Sequence, residues 1–201
     1  MSLPEKIVMA TGNPGKIREI AVLLAPLGTE IVAQSAFNVV EADETGDTFE
    51  ANALIKANNA AAATGLPAIA DDSGLSVDAL GGSPGVYSAR YAGPNADDEQ
   101  NIDKLLDALK AETNRAAAFH CVACYVDPAR GIEVMARGSW RGEILDERRG
   151  GGGFGYDPVF LDPDSGRASA ELSPDEKNAR SHRGKALRQL VDRLAALDDG
   201  Q

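Results

Sequence analysis

Residues 7–10 form a short continuous apolar run of the kind a buried strand carries, leading into Thr11-Gly12-Asn13-Pro14-Gly15, a turn by composition. Beyond it Ile17, Ile20, Ala21 and Leu24 recur at three- and four-residue spacing, which predicts a helix over 16–24. Residues 29–33 predict a second strand and the acidic stretch 41–47 a loop. The Ala-rich stretch 48–63 predicts a helix stopped by Gly65 and Pro67. A further apolar run, 67–70, ends at Asp71-Asp72-Ser73-Gly74. Ile102, Leu105, Leu106 and Leu109 form the apolar stripe of a helix over 97–111. Two longer strands, 117–126 and 132–140, flank Asp127-Pro128-Ala129-Arg130-Gly131 and predict an antiparallel hairpin. A glycine-rich loop, 150–155, precedes Tyr156-Asp157-Pro158, and a last helix is predicted over 181–197. Strands alternating with helices, then a long hairpin, predict an α/β protein with a mixed sheet.

Composition narrows the function classes. With 201 residues, 43% apolar and 25% charged, the chain matches an ordinary globular protein and is too apolar for a disordered one. No apolar run approaches the roughly 20 residues that span a bilayer, and residues 7–10 are too short for a signal peptide. A cytoplasmic protein is expected. The net charge of −11 argues against a nucleic-acid polymer as partner, because a polyphosphate needs a broad basic face. A small phosphate ligand stays possible, since local cations or a metal can hold it. Residues 177–193 carry six cations against a single acid; taken alone, such a run reads as a solvated helix face. Cys121 and Cys124 form a C-x-x-C on a predicted strand, where positions three apart face opposite ways, so neither a shared metal nor a redox pair is expected.

Four segments carry candidate chemistry. Residues 11–16, TGNPGK, join a strand to a helix, where glycines, helix N-terminal N–H groups and Lys16 suit a phosphate; the Walker A spacing is absent. Asp71 and Asp72, with Asp43 and Glu44 from a separate loop, are acids of the kind that hold Mg²⁺ through oxygen, and one can serve as a general base. GGGFGYDP, residues 151–158, places two aromatics in a glycine-rich loop, where Phe154 can stack on a base or, with Tyr156, cover the edge of the core. His182 and Arg183 sit at the start of the last predicted helix, where they can read a base edge, hold phosphate or serve the fold alone.

Together these segments resemble, in order, the noncanonical purine nucleoside triphosphate pyrophosphatases of the inosine/xanthosine triphosphate type. The matching stretches are ATGNPGK, DETG, DTFEANALIKA, ADDSGLSVDALGGSPGVYSARYAG, FHC with the hairpin, GGGFGYDPVF and EKNARSHRGKAL, from residue 10 to residue 187. The resemblance implies a single two-lobed domain over 1–201, with a long mixed central sheet, flanking helices and an active-site cleft between the lobes. It implies Mg²⁺-dependent cleavage of ITP, dITP or XTP between the α and β phosphates, and a homodimer. Carried over by position, Thr11, Gly12, Asn13, Pro14, Gly15 and Lys16 would hold the triphosphate and Lys56 would touch phosphate. Asp72 would be proton acceptor and metal ligand, Ser73 would touch substrate, and Asp43 would be the second metal ligand. Phe154, Gly155, Tyr156, Asp157, Lys177, His182 and Arg183 would grip the base and its surroundings.

Two positions depart from that pattern. The family commonly has Glu where this chain has Asp43, so Glu44 is an alternative ligand, and it commonly has Glu where Ala51 stands. On residues alone, three other readings stay open: a pyrophosphatase for another altered nucleotide, a nucleotide sensor without catalysis, and an α/β domain with no nucleotide site.

Overall fold

The computed structural model describes residues 4–25 and 28–199. In chain order the elements are β1 (Lys6–Met9), α1 (Pro14–Leu24), β2 (Glu30–Ala33), α2 (Phe49–Thr64), β3 (Ala68–Val77), α3 (Asp98–Ala108), β4 (Ala116–Asp127), β5 (Ile132–Ile144), β6 (Phe160–Asp162), β7 (Arg167–Ala168), α4 (Pro174–Arg180) and α5 (His182–Asp199). The strands make one seven-stranded sheet in the order β2-β1-β3-β4-β5-β6-β7. β1 pairs parallel with β2 and β3, whereas β5–β6 and β6–β7 are antiparallel. The expected mixed sheet with flanking helices is therefore observed.

The chain divides into two compact units. The first comprises Met1–Asp72, Cys121–Gly138 and Arg183–Gln201, the second Ser73–His120 and Ser139–His182. In the first unit, strict alternation along the strands builds a core on each face of the sheet. Ile7, Met9, Ile69, Cys121, Ala123 and Tyr125 pack with Ile20 and Leu24 of α1 and with Ala186, Leu187, Leu190 and Leu194 of α5. Val8, Ala10, Ala68, Ala70, Val122, Cys124 and Val126 pack with Ala53, Ala57, Ala60 and Ala61 of α2. The alanine face lets α2 lie close to the sheet. Its ends are fixed by Thr48, whose hydroxyl accepts from the Ala51 N–H, and by Gly65 in the left-handed region (φ 69°). An 11-residue helix such as α1 is marginal alone, so burial of Ile20 and Leu24 is what secures it, at roughly 1.5–3 kcal/mol per side chain.

The second unit centres on Leu75, Val77, Ile102, Leu105, Leu109, Phe119, Trp140, Ile144, Tyr156 and Phe160. The Phe119 and Phe160 rings lie 4.5 Å apart, and the Trp140 indole N–H donates to Asp162 at 3.0 Å. α3 starts with a reciprocal capping box between Asp97 and Gln100.

The structure moves three predicted boundaries. The apolar run at 67–70 continues as strand through both aspartates to Val77, because Leu75 and Val77 have a core of their own to enter. The predicted last helix is α5, displaced by one residue at its start and two at its end, and a separate seven-residue helix, α4, precedes it; Ser181, with an extended ψ of 157°, divides the two. The hairpin strands run one to four residues longer at three of their four ends, to 116–127 and 132–144.

The two cysteines fall in opposite cores, as the strand spacing requires, and both are free and buried. Burial pushes the Cys124 thiol up to about 12, helped by Glu133, and raises Cys121 further, helped by Asp71. Neither is a thiolate at pH 8, so a thiol reagent is expected to leave the native protein unmodified and to titrate two groups after unfolding in guanidinium. Prompt labelling of the native chain would contradict this packing.

Candidate active site

β1 and β3 are parallel neighbours, in register at Val8–Ala68 and Met9–Ile69, and the Ala10 N–H donates to the Ile69 carbonyl at 2.8 Å. The turn after β1 and the two aspartates within β3 therefore lie side by side at the carboxyl end of β1. Alternation then separates the aspartates. Asp71 follows Ile69 to the face of α1 and α5; Asp72 follows Ala68 and Ala70 to the face of α2.

Each meets cations from the helix it faces. Asp71 Oδ2 lies 3.1 Å from Lys16 Nζ and 3.2 Å from Arg183 Nε, and Arg183 Nη1 also contacts Glu19 at 2.5 Å. Asp72 Oδ1 accepts from Lys56 Nζ at 2.9 Å, and the same ammonium donates to Glu44 Oε1 at 2.7 Å. The acidic loop is pinned beside α2 because the Gly46 N–H donates to Asn52 Oδ1 at 2.8 Å. The Glu41 carboxylate of the acidic loop occupies the space beside Gly12, so a side chain there would make that carboxylate swing away.

The electrostatics differ between the neighbours. Burial opposes ionisation of Asp71, but Lys16, Arg183 and Lys56 outweigh it and hold its carboxyl well below the usual range. For Asp72 burial prevails and raises the pKa; Lys56 opposes the shift and Glu44 adds to it. Burial works against the Lys56 ammonium, yet Asp72, Asp71 and Glu44 together keep it protonated.

The turn itself differs from the expectation. The Gly15 and Lys16 N–H groups donate to Asn13 Oδ1 at 2.8 and 3.1 Å, and the Asn13 N–H to Thr11 Oγ1 at 3.2 Å. Asn13 caps α1 internally, so its N-terminal donors are already engaged by the turn. Asp43 is exposed, and Glu44 is the acid that reaches Lys56. Ala51 lies against Gly46, while its neighbour Glu50 pairs with Arg137 at 2.6 Å. Ser73 follows Asp72 on β3, half-buried.

In the second unit the glycine loop is organised by Asp157. Its Oδ2 accepts from the Phe154 N–H at 2.9 Å and from Lys177 Nζ at 2.6 Å, and its Oδ1 from the Ser169 hydroxyl at 2.7 Å. A side chain at Gly153 (φ 76°) would strike the Asp157 carboxylate. Gly155 (φ 59°) donates its N–H to Asp98 at 2.6 Å. Lys177 Nζ sits 4.8 Å from the centre of the half-buried Phe154 ring. Tyr156 is buried with its hydroxyl donating to the Ser88 carbonyl at 2.8 Å, a core-edge placement that was the alternative to its expected contact with substrate. His182 is buried too, its ring stacked on Phe119 at 4.7 Å and 12°.

The basic run at 177–193 thus splits. Lys177 and Arg183 are buried against carboxylates, whereas Lys185, Arg188 and Arg193 are exposed, as a solvated face would have them. Sequence reasoning left Glu19 and Ser169 unassigned and gave Asp71 no role of its own. Strand parity was the available signal for Asp71; Glu19 and Ser169 had none. Among the described residues no group of three or more His, Cys, Asp or Glu could hold a metal ion. Two carboxylates remain, Glu44 and Asp72, whose oxygens converge on the single cationic centre of Lys56.

Comparison with known proteins identifies the class, a nucleoside-triphosphate pyrophosphatase. The Ham1 family model matches residues 7–193, and the chain belongs to that family. It is 56% identical over 193 residues to the dITP/XTP pyrophosphatase of Pectobacterium atrosepticum, covering 94% of this chain and 98% of that protein. A dITP/XTP pyrophosphatase of Erwinia tasmaniensis is 57% identical over 193 residues, with 94% of each chain covered. The solved structure of a HAM1 protein from Coxiella burnetii superposes with a TM-score of 0.88 at 47% identity, covering 96% of this chain and all (100%) of that one.

Proposed function

We propose that this protein hydrolyses noncanonical purine nucleoside triphosphates, dITP, XTP and ITP, to the monophosphate and pyrophosphate, clearing deaminated purines from the nucleotide pool. The observation that carries the reading is the pair of adjacent, buried, oppositely directed aspartates, each matched to a lysine, beside the turn of residues 11–13. The names of the relatives supply the substrate class.

Asp72 takes the proton of a water whose oxygen bonds to the α phosphorus; the bond from that phosphorus to the bridging oxygen breaks, and pyrophosphate leaves. Burial raises the Asp72 pKa, which makes it a stronger proton acceptor than an exposed carboxylate. Lys16 and Lys56 offset the charge of the phosphates. Asp72 and Glu44 fit Mg²⁺, which typically takes one or two carboxylates and completes its shell with waters and substrate phosphates. When bound, Mg²⁺ supplies charge neutralisation on the transferring phosphoryl group. Thr11, Gly12, Asn13, Pro14 and Gly15 shape the phosphate turn. By the family resemblance Ser73, Phe154, Gly155, Tyr156, Asp157, Lys177 and His182 serve the nucleoside end, with Phe154 as the stacking surface; Arg183, which the resemblance also places there, is instead held by Asp71 and Glu19. A net charge of −11 favours a free nucleotide over a polymer. Among the described residues no helix is long and apolar enough to cross a membrane. A homodimer and a cytoplasmic location complete the proposal, both from the family resemblance.

The test is pyrophosphate release from ITP, XTP, dITP, GTP and ATP, with Mg²⁺ and with EDTA, scoring orthophosphate in parallel. Pyrophosphate from the first three alone, abolished by EDTA, is expected. Orthophosphate without pyrophosphate would place cleavage at the γ phosphate and overturn the reading. Binding without any product would make the chain a sensor.

A further inference from the structure

Asp71 sits one residue from the proposed base yet faces the other way, and its side chain is wholly buried, at 0% exposure. It does not touch substrate from there. It is instead a link in a chain of charges: Lys16 of α1 pairs with Asp71, Asp71 with Arg183 at the start of α5, and Arg183 with Glu19, three residues beyond Lys16 on α1. A single oxygen, Asp71 Oδ2, takes both Lys16 Nζ and Arg183 Nε and also accepts from the Cys121 thiol at 3.8 Å; the second oxygen, Oδ1, is buried with no hydrogen-bond partner. A carboxylate serving only to offset two buried cations could spread them over both oxygens. Here both are drawn to the same atom. A lysine is a point charge on a flexible stem, and fixing its ammonium before substrate arrives removes a freedom that binding would otherwise have to suppress.

We propose that Asp71 is a positioning residue, holding the Lys16 ammonium at the phosphate turn with Arg183 and Glu19 as its buttress. The inference rests on the proposed function, because Lys16 is taken to meet the triphosphate.

The test is a double-mutant cycle between Asp71→Asn and Lys16→Ala, reading kcat/KM for pyrophosphate release from dITP with Mg²⁺, and the dissociation constant of ITP in EDTA. Asp71→Asn is expected to lower kcat/KM by about 100-fold, the size of effect that a misplacement of about 1 Å produces. In the Lys16→Ala background the same change should cost less than about threefold, because the group it positions is gone. Additive losses, or an unchanged or raised kcat/KM in Asp71→Asn, overturn the proposal. Asp71→Glu keeps the charge and displaces the oxygen, so it separates position from neutralisation if Asp71→Asn fails to fold. A folded Asp71→Glu with low kcat/KM supports positioning, and one with wild-type kcat/KM overturns it. Failure of both variants to fold also overturns it, since the carboxylate then holds the fold. Were the wild-type protein to release no pyrophosphate, the proposed function would fail, and the same cycle in the ITP dissociation constant would still decide this inference.

Discussion

Asp72→Asn is expected to cut pyrophosphate release from dITP by about a thousandfold or more while ITP binding stays measurable. The amide keeps the size of the side chain and can still accept a hydrogen bond from Lys56, but it cannot take a proton from water. General-base catalysis alone is worth about 10²–10⁴-fold. The variant should fold, because the Lys56 ammonium keeps Glu44 at 2.7 Å and is not left as a lone buried charge. Its affinity for ITP in EDTA is expected within about tenfold of wild type, since the turn at 11–16 and Lys16 are untouched. The ratio of the two effects is what matters, because a lost interaction made only in the transition state lowers kcat and kcat/KM together. Turnover within tenfold of wild type would remove Asp72 from the role of base. A matching collapse of binding would mean that it organises the ground state instead.

The elements with a clear period were legible in the sequence. Alternation in residues 117–126 placed Cys121 and Cys124 on opposite faces, and the helical stripe from Ile17 to Leu24 and the Ala-rich helix at 48–63 were placed to within two residues. The strand at the aspartates was misjudged because Asp72-Ser73-Gly74 has turn composition. What overrides composition there is the burial of Leu75 and Val77, a tertiary fact. Likewise the cations of 177–193 looked alike along the chain. Lys177 is buried because Asp157, 20 residues away, neutralises it, and Arg183 because Asp71, 112 residues away, does so. No local window contains such partners. Asn13 shows the converse limit: its place in a turn was plain, but not that its side chain would occupy the N–H groups reserved for phosphate. β6 and β7, of three and two residues, carry too few positions for any period to be read.

Asp157→Ala is expected to destabilise the protein by roughly 3–5 kcal/mol, the usual cost of stripping one partner from a buried ion pair. Both members are buried, with side-chain exposures of 8% for Lys177 and 4% for Asp157, so solvent does little to screen the loss. Three bonds go at once: those from Lys177, from the Ser169 hydroxyl and from the Phe154 N–H. For a chain of this size the loss corresponds to a melting temperature lower by about 6–20 °C, at roughly 2–4 °C per kcal/mol. Ser169→Ala gives the scale, since it removes one neutral hydroxyl bond and should cost about 1 kcal/mol. The nucleotide reading adds a second expectation. With Asp157 gone, the backbone of Phe154 and the ammonium beside its ring each lose a bond that places them, so KM for dITP should rise even at temperatures where the variant is fully folded. Calorimetry and kinetics on one preparation separate the two. A melting temperature unchanged from wild type would show that the Lys177 ammonium finds another partner and that the loop is shaped by its glycines alone. A lowered melting temperature with unchanged KM would confine the Asp157 network to stability and take Phe154 out of the substrate site.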